Sequence, residues 1–138
     1  MKKYILYADD DQDDYEILQN AFAEISEQIG LVHVSNGYDV ISHLQNRAQS
    51  DYPSLILMDI NMPLLGGKET LELLKIDDHY KTIPVKIFST AFSPADKAAI
   101  EQNGAEVIKK PSIYDGWRKI AAELAKYCTV WLLCSLVH

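Results

Sequence analysis

Short apolar runs alternate along the chain with longer stretches in which apolar residues recur every three or four positions. Tyr4–Ala8 reads as a strand, and Asp13 or Asp14 can cap a helix running through Glu24 whose Ile17, Leu18, Ala21, Phe22 and Ile25 share a face. Gly30 stops that helix. Leu31–Ser35 reads as a second strand, and Asn36-Gly37 turns the chain into a short helix carrying Val40, Ile41 and Leu44. The polar stretch Asn46–Pro53 is a loop into Leu55–Met58, an unbroken apolar run of the kind found in strands covered by helices on both faces. A third helix carries Leu71 and Leu74 between Gly67 and about Ile76, and Pro84 introduces a fourth strand, Val85–Ser89. Ser93-Pro94 supplies a cap followed by proline at the first helical position, and Gly104 is a natural left-handed stop. Glu106–Ile108 is a short fifth strand, Lys110-Pro111 a loop, and Ser112 or Asp115 opens a last helix through Lys126.

Five strand-helix pairs imply a parallel sheet with helices on both faces, because right-handed crossovers leave few other topologies. The expected architecture is a flavodoxin-like, doubly wound, three-layer α/β/α domain with strand order 2-1-3-4-5 over residues 1–126. Residues 127–138 form an apolar extension expected to continue the fifth helix. At 138 residues the chain fits one domain, and 48% hydrophobic content is enough to bury a core. A net charge of −7 argues against a nucleic-acid partner, which needs a basic surface, and favours a divalent cation as guest. Cys128 and Cys134 match no metal-ligand spacing and fit a reducing compartment. Lys2 and Lys3 precede only Tyr4–Ala8, too short for an export signal, so a cytoplasmic protein is expected. The apolar run in Tyr127–His138 is too short to span a bilayer, so no membrane partner is expected.

In such a sheet every β-to-α loop opens on one edge, where residues distant in sequence converge. Asp9, Asp10 and Asp11 follow the first strand, Asp59 and Asn61 the third, Ser89 and Thr90 the fourth, and Lys109 and Lys110 the fifth. Clustered carboxylates repel one another unless a cation neutralises them, and Mg²⁺ suits an all-oxygen pocket that leaves a place for a phosphate oxygen. A carboxylate nucleophile, a metal, an ammonium and a hydroxyl together make a phosphoryl-transfer site. Ser89 competes with Thr90 for the hydroxyl role, and strand alternation with the count from Pro84 favours Ser89. Lys110 is favoured over Lys109 by its adjacency to Pro111. Asp11 is read as a rim residue with a weak claim on the metal, and Asp13 and Asp14 as a solvated helix start. His33, His43, His79 and His138 sit at no nucleophile or ligand spacing and are read as structural or exposed.

Asp9-Asp10, Asp59, Met62-Pro63, Gly67, Ser89 and Lys110-Pro111, in that order at strand ends, resemble the receiver domain of bacterial two-component response regulators. The resemblance covers Met1 to about Lys126. It implies that Asp59 accepts a phosphoryl group from a phosphohistidine on a sensor histidine kinase or histidine phosphotransfer protein. It also implies Mg²⁺ bound by Asp10, Asp59 and the Asn61 carbonyl, with Asp9 acting through water. Lys110 would pair with the acyl phosphate, Ser89 would rotate in to hydrogen-bond it, and the Thr90 backbone N–H would bind another oxygen.

Two departures stand out. Val107 occupies the position four before the loop proline where receivers usually carry an aromatic switch, leaving either movement of the Thr90–Pro94 loop, with Phe92, as the readout or a weakly coupled output. The tail Tyr127–His138 extends past the resemblance and is read as packing Trp131, Leu132 and Leu136 on the domain, as a homodimer or partner surface, or as a cloning-derived sequence. Two rival functions are weighed. A haloacid-dehalogenase-type phosphohydrolase needs a second aspartate two residues after the nucleophile, where this chain has Asn61. A phosphorylation-independent interaction module would show loss of Asp59, Lys110 or the acidic pair, and none is lost.

Overall fold

A computed structural model describes the backbone of residues 3–137 and the side chains of residues 3–128. The described residues form five strands, β1 (Tyr4–Ala8), β2 (Gly30–Val34), β3 (Leu55–Met58), β4 (Val85–Ser89) and β5 (Glu106–Lys109). All pair in parallel in the order β2-β1-β3-β4-β5, the expected doubly wound arrangement. The helices are α1 (Gln12–Ala23), α2 (Gly37–Gln45), α3 (Gly67–Ile76), α4 (Pro94–Gln102) and α5 (Tyr114–Val137).

All four residues of β3 are buried, so the apolar run hides the two-residue alternation without abolishing it. Leu55 and Leu57 join Ile5, Tyr7 and Phe88 against Leu18 and Phe22 of α1 and Trp117 and Leu124 of α5. Ile56 and Met58 join Leu6, Ala8 and Ile87 against Val40, Leu44, Leu71, Leu74 and Ile100 on the other side. Two apolar layers therefore clamp the sheet, and its carboxyl edge is fixed from both faces.

Local chemistry explains where the boundaries differ from expectation. Asp11, not Asp13 or Asp14, caps α1: it is extended at φ −89° and ψ 106°, and its carboxylate accepts the N–H groups of Asp13 and Asp14. Those two aspartates already lie in the first turn, where negative charge complements the helix dipole. The helix ends at Ala23, before Gly30, which is itself the first residue of β2 and pairs with Tyr4. At α4 the expected cap is present as a full capping box between Ser93 and Asp96, with Pro94 opening the helix. Gly104 follows at φ +79°. The last helix opens at Tyr114 and reaches Val137, well past Lys126. The expected packing of Trp131, Leu132 and Leu136 falls outside the described side chains.

Candidate functional site

The site is assembled by the ends of neighbouring strands. The β1–β3 pairing ends with Ala8 opposite Met58. One residue further on, the Asp59 N–H donates to the Ala8 carbonyl at 3.0 Å and the Asp9 N–H to the Val34 carbonyl at 3.0 Å. The same pattern closes the other half: Ser89 pairs with Lys109, and the Lys110 N–H donates to the Ser89 carbonyl at 2.9 Å. Asp9, Asp59 and Lys110 thus each stand one residue beyond their strands and face one another.

Lys110 is the hub. Its Nζ donates to Asp9 Oδ2 at 2.6 Å, Asp59 Oδ2 at 2.8 Å and Asp14 Oδ2 at 2.7 Å, so all three ammonium protons find carboxylates. Lys109 is exposed and Lys110 buried, so Lys110 is the lysine turned into the pocket. Ser89 Oγ, also buried, donates to Asp59 Oδ1 at 2.9 Å and lies 3.2 Å from the Ala91 carbonyl. One hydroxyl proton serves one acceptor at a time, so the two contacts are alternatives. The hydroxyl oxygen lies within hydrogen-bonding reach of Asp59. Thr90 is exposed, as alternation requires. The exposed Asn61 brings its backbone N–H to Asp59 Oδ1 at 3.3 Å. Asp59 therefore presents one oxygen to a hydroxyl and an amide and the other to an ammonium.

Asp9, Asp10 and Asp59 can each bring one carboxylate oxygen within 4.8 Å of the others. Asp9 and Asp59 are buried, whereas Asp10 is exposed and leaves the pocket open to solvent. A small all-oxygen set of this kind fits a hard divalent cation that keeps part of its water shell. Burial pushes the Asp9 carboxyl up, opposed by hydrogen bonds from Lys110, Tyr7 and the Asp11 amide. For Lys110 burial pulls down, but hydrogen bonds to Asp14, Asp59 and Asp9 outweigh it and hold the ammonium well above the ordinary lysine range. The site therefore keeps its cation at any physiological pH.

Sequence reasoning misplaced or missed several of these contacts. Asp14 is not a solvated helix start, because it sits on the buried stripe of α1 with Leu18, Ala21 and Phe22 and reaches Lys110. That spacing of four, seven and eight residues was its available signal. Asp11 is an exposed cap rather than a candidate ligand. Tyr7 reads as core in an apolar strand, yet its hydroxyl donates to Asp9 Oδ2 at 2.5 Å. His33 is structural as expected, and it braces the first strand end, because Nε2 donates to the Asp9 carbonyl at 2.7 Å while the ring stacks on Tyr15 at 4.3 Å. His43 hydrogen-bonds the Tyr4 hydroxyl, His79 is exposed, and His138 lies outside the described residues. Val107 is half-buried and packs on the α2-α3-α4 side of the sheet, and Phe92 is half-buried.

The sequence profile of the response regulator receiver domain matches residues 5–120. The chain belongs to this family. The receiver is 36% identical over 103 residues to the polar-differentiation response regulator DivK of Brucella anthropi, covering 72% of this chain and 80% of DivK. It is 33% identical over 107 residues to the CAI-1 autoinducer sensor kinase/phosphatase CqsS of Vibrio cholerae, covering 75% of this chain but only 15% of CqsS. The crystal structure of the phosphorylated cyanobacterial phytochrome response regulator RcpA superposes with a TM-score of 0.82 at 25% identity, covering 93% of this chain and 94% of RcpA. The receiver is thus a phosphoacceptor module of two-component signal transduction. Among the described residues, no helix of the receiver is long and apolar enough to cross a membrane.

Proposed function

We propose that this receiver takes a phosphoryl group onto Asp59 from a phosphohistidine of a sensor histidine kinase or histidine phosphotransfer protein and thereby switches a protein contact. The observation that carries the reading is the Lys110 ammonium, buried and shared by Asp9, Asp14 and Asp59, with Ser89 on the remaining oxygen of Asp59. An Asp59 oxygen attacks phosphorus as the phosphorus–nitrogen bond to the donor imidazole breaks, and the imidazole nitrogen retains the electron pair. Lys110 meets one phosphoryl oxygen, while the Ser89 hydroxyl and the Thr90 backbone N–H serve the others. Asp9, Asp10, Asp59 and the Asn61 carbonyl would hold Mg²⁺, which would neutralise charge on the phosphoryl oxygens.

The product is an acyl phosphate that water cleaves slowly, so the domain acts as a switch rather than a turnover enzyme, in the cytoplasm. Asn61 in place of a second aspartate leaves a hydrolase without its general acid, and the intact acidic pair, Asp59 and Lys110 disfavour a phosphorylation-independent module. The net charge of −7 points the output at proteins rather than nucleic acid. Residues 1–126 would be the switch, and residues 127–138, continuing α5, a surface for homodimerisation. Beryllofluoride, a phosphoryl mimic, tests the acceptor directly by ¹⁹F NMR. With Mg²⁺ the wild type is expected to bind it and Asp59→Asn to bind none, whereas equal binding by both would contradict the reading.

A further inference from the structure

We propose that Tyr7 is a positioning residue for the metal half of this site, its hydroxyl holding the Asp9 carboxylate in the orientation a divalent cation requires. The inference rests on the reading that Asp9, Asp10 and Asp59 take Mg²⁺. Asp9 stands one residue beyond β1 and two after Tyr7, so the extended chain sends both side chains to the same side, where the Tyr7 hydroxyl meets the Asp9 carboxylate. The Tyr7 ring is fully buried beside Phe88, with centroids 6.2 Å apart, in an apolar layer that includes Ile5, Leu55 and Leu57. A hydroxyl in such a layer costs stability unless it is hydrogen-bonded, and here the bond goes to Asp9 Oδ2 at 2.5 Å.

Asp9, itself fully buried, is held at every polar atom. Oδ1 accepts the Asp11 N–H at 2.9 Å, the carbonyl accepts His33 Nε2 at 2.7 Å, and Oδ2 accepts both Tyr7 and, at 2.6 Å, Lys110. The two donors on Oδ2 differ in kind. Lys110 also serves Asp14 and Asp59 and is the group a phosphoryl oxygen would recruit. Tyr7 is fixed by its strand and its packing, so it remains on Oδ2 when Lys110 turns away. Partners of this outer kind orient a metal-binding carboxylate, and their loss typically costs about ten- to a hundredfold in metal affinity.

The test is calorimetric titration of Mg²⁺ alone into the wild type, Tyr7→Phe, Asp9→Asn and the double variant. Phe keeps the ring against Phe88, and a thermal unfolding midpoint measured on each protein separates stability from affinity. Tyr7→Phe is expected to weaken Mg²⁺ binding about tenfold in the wild-type background and to cause no further loss once Asp9 is Asn. Wild-type affinity in Tyr7→Phe, even with a lowered midpoint, would show a merely structural tyrosine and overturn the proposal. So would an equal tenfold loss in the Asp9→Asn background. A wild type that takes up no Mg²⁺ overturns the metal reading and this inference together, a result distinguishable from loss of the Tyr7 link alone.

Discussion

Leu64 combines a left-handed backbone with an exposed side chain. It has φ +67°, the left-handed region in which a side chain costs roughly 1–2 kcal/mol, and it is 79% exposed in the loop after β3. Asn tolerates that conformation and adds no backbone freedom to the unfolded chain, so Leu64→Asn is expected to stabilise the domain by about 1 kcal/mol. Urea unfolding checks this, and an equal loss would show that the leucine side chain contributes more than its strain costs. At this scale the site was legible wherever a residue directly follows a strand. Asp9, Asp59 and Lys110 share that placement, and two-residue alternation chose Ser89 over Thr90. Tyr7 and Asp14 were not legible in the same way. A tyrosine inside an apolar run and an aspartate in a helix's first turn each have an ordinary explanation, and only the reach of their side chains reveals otherwise.

Elements matter here through their junctions. The entry to α3 passes so close to β3 that a Cβ on Gly67 would lie 2.1 Å from the Asp59 carbonyl oxygen, an atom that cannot yield without moving the proposed acceptor. Gly67→Ala is therefore expected to cost about 2 kcal/mol or more, measured by urea unfolding, and to lower phosphoryl uptake as the Asp59 backbone shifts. A variant with wild-type stability and uptake would show that this junction is looser than the geometry says. The order and type of the elements followed from periodicity and from strong punctuation such as Ser93-Pro94 and Gly104. The cap of α1 did not, because four aspartates between positions 10 and 14 are chemically alike and only backbone conformation singles out Asp11. Gly30 was read as a stop for the same reason: composition marks a glycine without saying whether it ends a helix or opens a strand.

Seen whole, the receiver is a sheet of short strands with one helix out of proportion. Strands of four or five residues span on the order of 17 Å, whereas the 24 residues of α5 span on the order of 36 Å. Cys128 is buried against the domain, so a truncation placed after it retains every core residue among the described side chains. If the remaining turns mediate self-association, analytical ultracentrifugation should find the full chain dimeric and the truncated chain monomeric. An unchanged association state would remove the tail from the output. The proposed switch itself turns on Asp59 as acceptor. The most direct measurement is the intact mass of the protein after incubation with acetyl phosphate and Mg²⁺. The wild type should gain one phosphoryl group and Asp59→Asn none, whereas equal gain by both would contradict the account.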